Sequence, residues 1–444
     1  MKLSIKTRFK IDPLNFFFIV SSLLCFLFIR KYFIIIFPIQ IIWGMYAFKM
    51  KFTLNQILFL ALTLLITGIS FILSEWHIIN YIMSIVLTMS IFIFLTSTPE
   101  KTYSDISYSE TFFKVSSNIL IFVNIVAFIN YLLLTLHSSN ILEIEDSFAG
   151  IYGKSGLGQH ALSVINFMYA AFFVLKKKML KFWVFLICGI MGFYGLGLML
   201  LLASVIIVVF TSAKLNYKHF LFVGFSLWAI IVLLKIANPR NYNYILDNIN
   251  KTTASFQDLN YEAEMLKANK VRWSESPRKV VFFYGVVRRL MSNPEILLIG
   301  TSPGSYNSMT AFMLNGDYTR IGLLKDNVNN MPKYHREDVL PLWNQKIYGT
   351  TWMDGTRNQP FSSFVSVLME YGMIIGILYF LWIWKKIRYL LKSIDDKEIK
   401  YFVLFSSLFF GLSLFFLNTI EMVDLVFVYL LMIKSIEIDY VKVR

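Results

Sequence analysis

The sequence predicts an all-α integral membrane protein with about 12 transmembrane helices and a small helical extracytoplasmic cap drawn from one long loop. Three observations carry this. Of the 444 residues, 57% are apolar and 43 are Phe, with a mean hydropathy of +0.61. Only 16% are charged, against about a quarter in an ordinary soluble domain. The apolar residues fall in successive runs of spanning length, and Lys and Arg gather in alternate connections between them. A soluble fold would have to leave large apolar patches on its surface. Disordered, collagen-like and disulfide-scaffold classes are excluded by the same composition.

A bilayer-crossing helix needs about 20 mostly apolar residues. Runs of that kind lie near 12–29, 32–48, 54–73, 78–96, 115–136, 157–175, 181–196, 197–212, 219–237, 361–384, 400–417 and 420–435. The stretch 181–212 is too long for one crossing, and Tyr194-Gly195-Leu196-Gly197 is where glycine permits a turn. Lys2, Lys6, Arg8 and Lys10, the Lys176-Lys177-Lys178 run with Lys181, and Lys385 to Lys400 fall on one side. The short connections on the other side hold only Arg30, Lys31, Lys154 and Lys235. By the positive-inside rule both termini are cytoplasmic. The first run is long enough to read as a retained span. Cys25 and Cys188 both sit inside apolar runs and suggest neither a disulfide nor a metal site.

Three regions follow: 1–237 with spans one to nine, an outer segment 238–360, and 361–444 with spans ten to twelve and a cytoplasmic tail. The outer segment is 123 residues long and carries 15 Lys/Arg against 11 Asp/Glu. Apolar stretches such as Val280 to Tyr284 and Ile296 to Ile299 argue that it folds into a cap. Pro277 begins an amphipathic helix through Met291 that carries Arg278, Arg288 and Arg289. Next comes Gly300-Thr301-Ser302-Pro303-Gly304-Ser305-Tyr306-Asn307, whose glycines at 300 and 304 permit positive φ. Backbone N–H groups in such a turn can cradle an anion, and nearby arginines can grip phosphate bidentately. Interfacial Arg also snorkels to lipid headgroups, and Gly-x-x-x-Gly is common loop punctuation.

Glu370 lies inside the apolar run of span ten, where an ionisable group is costly and faces a cavity or a partner. Asp424 in the last run reads as structural. His160, in Gly156-Leu157-Gly158-Gln159-His160, falls at the outer mouth of span six. There is no His/Cys cluster, phosphate-binding P-loop or nucleophile elbow, so no cofactor or metal is expected. The net charge of +15 belongs to membrane-side segments and the cap, and does not point to nucleic acid.

Topology and local motifs together resemble the O-antigen polymerase and O-antigen ligase family. Arg288 to Asn307 is similar to the family's order of Arg, then Asn-Pro, then a glycine-rich turn closing on an aromatic residue. Met369-Glu370-Tyr371-Gly372-Met373-Ile374-Ile375-Gly376 is similar to its Glu-x-Gly-Ile-Ile-Gly helix opening. The resemblance implies a metal-independent glycosyltransferase that joins undecaprenyl-diphosphate-linked glycans on the outer leaflet. Donor and acceptor would both be lipid-linked, with a chain-length regulator and a flippase as partners. Arg278, Arg288 and Arg289, then Arg320 and Arg357, with Gly304 in the turn, would bind the diphosphate. His160 or Glu370 would serve as base for the acceptor hydroxyl. The ligase branch carries a His before span ten where this chain reads Thr356-Arg357-Asn358-Gln359, which favours polymerase over ligase. A flippase of lipid-linked oligosaccharides is the rival from another class, disfavoured by few charges within the spans and no visible repeat.

Overall fold

The computed structural model describes residues 13–27, 30–100, 107–137, 148, 150–152, 156–192, 195–212, 228, 232, 235, 239–269, 276–308, 310–311, 331–342 and 360–441. Among them the chain is helical, with isolated β-bridges but no β-strand. Four helices are long and apolar enough to cross a membrane: Leu54–Leu73, Ile78–Thr96, Tyr108–Leu134 and Lys397–Phe416. Shorter apolar helices are Pro13–Leu27, Ile36–Ala47, His160–Leu175, Met179–Met191 and Leu196–Thr211. The expected ninth span falls almost wholly outside the described residues.

The bundle begins with α1 (Pro13–Leu27), α2 (Arg30–Ala47), α3 (Leu54–Leu73), α4 (Ile78–Thr96) and α5 (Tyr108–His137). It continues with α6 (Gly156–Leu175), α7 (Met179–Met191) and α8 (Gly195–Ser212). The long apolar run thus divides where its glycines lie. Two features depart from the sequence expectation. Residues 361–384 form not one span but α13 (Ser363–Tyr371) and α14 (Met373–Ser393), broken at Gly372 with φ of 81°. The other is α16 (Val423–Tyr440), which follows α15 (Lys397–Phe416) and a single 3₁₀ turn at Thr419–Glu421.

Sixteen of the 18 residues of α16 are buried. Contacts from α1, α2, α4, α5, α6 and α15 enclose it, which explains an apolar surface on every side. Charge is nonetheless buried here, against expectation. Lys434 Nζ lies 2.7 Å from Glu437 Oε2 and donates to the Ser97 carbonyl at 2.5 Å, while Lys386 Nζ meets Glu437 Oε1 at 2.5 Å. Buried charges persist when paired and hydrogen-bonded, and these are. Asp439, one turn on, caps α5 from a distance by accepting from the Tyr108 and Ser109 N–H groups at 3.0 and 2.7 Å. Between α5 and α6 the amides of Asn124 and Asn166 exchange two hydrogen bonds at 2.7 and 3.0 Å, polar glue within an apolar interface.

These contacts define the bundle's two ends. Lys176 at the end of α6 lies 3.7 Å from Asp396, the N-cap of α15, and near the Tyr440 ring. The start of α5 and the end of α16 are therefore at this lysine-rich end. At the opposite end α15 finishes, α16 begins and the cap is seated.

The cap comprises α9 (Pro239–Asp258), α10 (Tyr261–Asn269), α11 (Arg278–Ser292), α12 (Glu295–Ile299) and a π turn at His335–Val339. On α11, Arg278, Val281, Phe282, Gly285 and Val286 are buried, a stripe at helical spacing that Arg289 extends. Burying Val281, Phe282 and Val286 contributes about 1.5–3 kcal/mol each. The cap's own core also takes in Val365 and Met369 from α13, whereas Val367 and Tyr371 face the main bundle core. The short helix α13 is the seam between the two cores.

Candidate functional site

The glycine turn after α12 does form at positive φ, 74° at Gly300 and 76° at Gly304. A Cβ at Gly300 would stand 2.5 Å from the Glu370 carbonyl oxygen, and one at Gly372 would stand 2.6 Å from the Leu298 carbonyl. The turn and the helix break thus lie backbone to backbone, at a distance only two glycines permit. The Thr301 N–H donates to the Met369 carbonyl at 2.8 Å. Ser70 of α3 donates to the Gly300 carbonyl at 3.1 Å, and Asn80 of α4 to the Gly304 carbonyl at 3.1 Å.

The anion cradle expected from the sequence also forms, and its occupant belongs to the chain. Glu370 Oε1 accepts from the backbone N–H groups of Tyr306, Asn307 and Ser308 at 3.0, 3.0 and 2.9 Å. Its Oε2 accepts from Gly304 N–H at 2.7 Å. Four converging donors on one buried carboxylate make a strong internal clamp. In this conformation the N–H groups assigned to a diphosphate are committed to Glu370, and Glu370, assigned as a base, anchors the loop.

The arginines separate by partner. Arg278 is fully buried, and its Nη1 donates to the Leu342 carbonyl at 2.7 Å. Arg289 forks onto Asp338, Nε to Oδ2 at 2.8 Å and Nη2 to Oδ1 at 2.7 Å, and reaches Glu337 at 2.9 Å. The bond to Asp338 holds its pKa above even the usual arginine range, opposed by burial. Both side chains tie α11 to the turn at 335–342. Arg288 is different: it is half exposed, lies 2.5 Å from an exposed Glu262 and stacks over Tyr261 at 5.2 Å. Such a surface pair is weak and exchangeable. Arg320 and Arg357 lie outside the described residues.

His160 is the fifth residue of α6, half-buried. Because α6 ends at the lysine-rich end, His160 lies toward the cap end of the bundle. The structure does not bring it to the Glu370 clamp; α6 packs against α7, α8, α15 and α16. No known family, curated protein or solved structure matches this chain. The site therefore stands on its own geometry.

Several residues at the site carried no sequence signal. His335 is buried and its Nδ1 donates to the Tyr306 carbonyl at 2.7 Å; burial pushes its pKa down to about 4. Asn418 donates to the Asn307 carbonyl at 2.9 Å, and Glu421 accepts from Thr310 N–H at 3.2 Å. Only Glu421 was findable in principle, as an acidic residue between two apolar runs.

Proposed function

We propose that the protein is a glycosyltransferase of the bacterial cytoplasmic membrane that polymerises lipid-diphosphate-linked glycans on the outer leaflet. The observation that supports this reading is the meeting of the two motif segments. The turn at Gly300–Ser308 and the opening at Met369–Gly376 are over 60 residues apart in sequence, yet they interlock through Glu370 and Thr301. Residues that carry the family resemblance thus form one structure at the cap end of the bundle. The lysine-rich end then faces the cytoplasm.

Breaking an anomeric C–O bond releases a diphosphate, so the need is for cations where negative charge develops. Arg288 is the arginine whose partner is exposed and displaceable, and it serves as the first contact for the diphosphate. Arg278 and Arg289 shape the cap beneath it. His160 remains the base for the acceptor hydroxyl. Ligation of the glycan to a lipid A core is the closest variant of this chemistry. A flippase is the second reading, favoured by the broken helix at Gly372, since transporters place their sites at discontinuous helices.

The test uses the purified protein in detergent with a synthetic polyprenyl-diphosphate-linked repeat unit, products being resolved on a gel. A ladder from the wild type, lost in Arg288→Ala at an unchanged unfolding midpoint, is the expected result. A single transfer to a lipid A core acceptor would indicate a ligase. A folded protein that makes no product, but moves lipid-linked glycan across vesicles, would overturn the transferase reading.

A further inference from the structure

The cap helix α11 keeps one side out of both cores. Val280, Tyr284, Val287 and Met291 form a stripe at helical spacing, opposite the stripe that packs into the cap. Tyr284, Val287 and Met291 are 50, 52 and 79% exposed, and none of the four belongs to the cap's core. Large apolar side chains exposed together mark a contact surface. The helix does not itself cross a bilayer, because it has only 15 residues and carries Arg278, Arg288 and Arg289.

Two anchors set how α11 lies. Near its start, Lys279 Nζ donates to the carbonyl of Phe416, the last residue of the membrane-crossing α15. Phe283 stacks there on Phe415, with ring centroids 5.2 Å apart. Near its end, Arg289 holds Glu337 and Asp338, and the adjoining Arg336 lies 3.6 Å from Glu75 between α3 and α4. Lys279 and Arg289 are separated by about 15 Å of helix at 1.5 Å per residue, so α11 runs across the bundle's end from one crossing helix to another. Trp76, beside Glu75, is exposed at this level, and tryptophan gathers at the interfaces of membrane proteins.

Around the helix, Lys279 and Phe283 stand between the buried stripe and the exposed one. With the end of α15 beneath them, the cap's core is on one side and the exposed stripe points away on the other. The exposed Phe415 of α15, and Leu65, Ile69 and Ile72 of α3, present apolar side chains outward on the crossing helices themselves. The stripe thus continues a surface that faces lipid.

We propose that α11 is an interfacial helix whose stripe of Val280, Tyr284, Val287 and Met291 dips into the bilayer leaflet at the cap end. An amphipathic helix so placed buries its apolar face about 5–10 Å into the boundary between headgroups and acyl chains. Tyr284 suits that depth, with an apolar ring and a polar tip. Arg288, half exposed one turn from Tyr284, reaches the phosphate level, where cations are drawn to anionic lipid. This docking needs only that the bundle spans a membrane, and it does not rest on the glycan chemistry.

The experiment uses the full chain in vesicles of phosphatidylethanolamine and phosphatidylglycerol, with a fluorophore attached to Val287→Cys, Met291→Cys or Ser292→Cys. Labelled wild type, whose Cys25 is buried and Cys188 half-buried, serves as the blank. Ser292 is exposed and adjoins Met291, but is turned about 100° from it around the helix. Labels at Val287 and Met291 should be quenched by nitroxide on the lipid chains and shielded from aqueous iodide, at a depth of about 5–10 Å. The label at Ser292 should show the reverse order. Two stripe positions are read so that one misfolded variant does not decide the result. Adding Val287→Glu should move the label at Met291 from nitroxide to iodide quenching. The unfolding midpoint in detergent should then stay at the wild-type value, since Val287 is outside the cap's core. Equal iodide quenching at all three positions, without nitroxide quenching, would overturn the proposal. Shielding from both quenchers would also overturn it, because protein rather than lipid would then cover the stripe.

Discussion

Replacing Glu370 by Gln tests whether the carboxylate holds the glycine loop or does chemistry. The wild-type carboxylate accepts three N–H groups at Oε1 and one at Oε2. Gln retains an oxygen for the three but sets an NH₂ against Gly304 N–H. Hydrogen bonds to charged groups contribute about 1.5–3 kcal/mol and neutral ones about 0.5–1.5, so losing the charge costs about 1 kcal/mol per retained bond. The Gly304 N–H left without an acceptor adds about 1–3 kcal/mol, for a total of about 4–6 kcal/mol. A loss of that size rivals the whole stability of many domains, so the loop should undock before the bundle melts. Hydrogen exchange at Gly304, Tyr306, Asn307 and Ser308 reads this directly. The four amides should exchange about a thousandfold faster in the variant, at about 1.4 kcal/mol per factor of ten. Exchange within a few-fold of wild type would refute the clamp. If the proposed transferase activity vanished with that exchange unchanged, the result would instead favour Glu370 as a catalytic base.

Three further predictions follow from the cap. Arg289→Ala strands the largely buried Asp338 and should lower stability by about 3 kcal/mol, with Arg289→Lys recovering less than half because an ammonium cannot fork. Full recovery in the unfolding midpoint of the Lys variant would contradict the bidentate geometry. Gly300→Ala drives a Cβ to 2.5 Å from the Glu370 carbonyl oxygen and should cost at least about 2 kcal/mol. Gly411→Ala, where nothing lies within 4 Å, should gain up to about 1 kcal/mol in its helix, and equal midpoints for the two would argue against the close approach. His335 is held neutral by burial at a pKa of about 4, below its ordinary 6.5. Between these values the unfolded chain binds more protons, so stability is complete above pH 6.5 and falls by about 3 kcal/mol on acidification to pH 4. His335→Gln should flatten the dependence of the midpoint on pH over that window; identical slopes would exclude a buried neutral imidazole.

Much of the fold was legible because it is local. Apolar runs gave the helices, the long run divides between Met191 and Gly195, just ahead of the glycine pair that suggested a turn, and helical spacing outlined α11 nearly to the residue. The glycine turn was legible as an anion cradle because positive φ is a property of residue type. Its occupant was not, since Glu370 is 62 residues beyond Ser308 and nothing in local pattern pairs them. The break at Gly372 was hidden for a related reason. A glycine within an apolar run is compatible with a continuous helix, and only the backbone of Leu298 and Gly300 pressing on it explains the interruption. The arginines show the same limit: Arg278, Arg288 and Arg289 look equivalent on one helix, yet two are bound inside the cap and one is half exposed.

The sequence by itself determined that this chain is helical, strongly apolar and suited to a bilayer, because hydropathy and periodicity are sums over neighbouring residues. It also determined where the backbone could turn. Tertiary structure alone decided that α16, with its buried Lys434 and Glu437, runs through the centre, and that α13 belongs to two cores at once. It alone decided which anion fills the glycine loop. Those outcomes depend on contacts between distant segments, and the free energy of such contacts is set by geometry that no local pattern encodes.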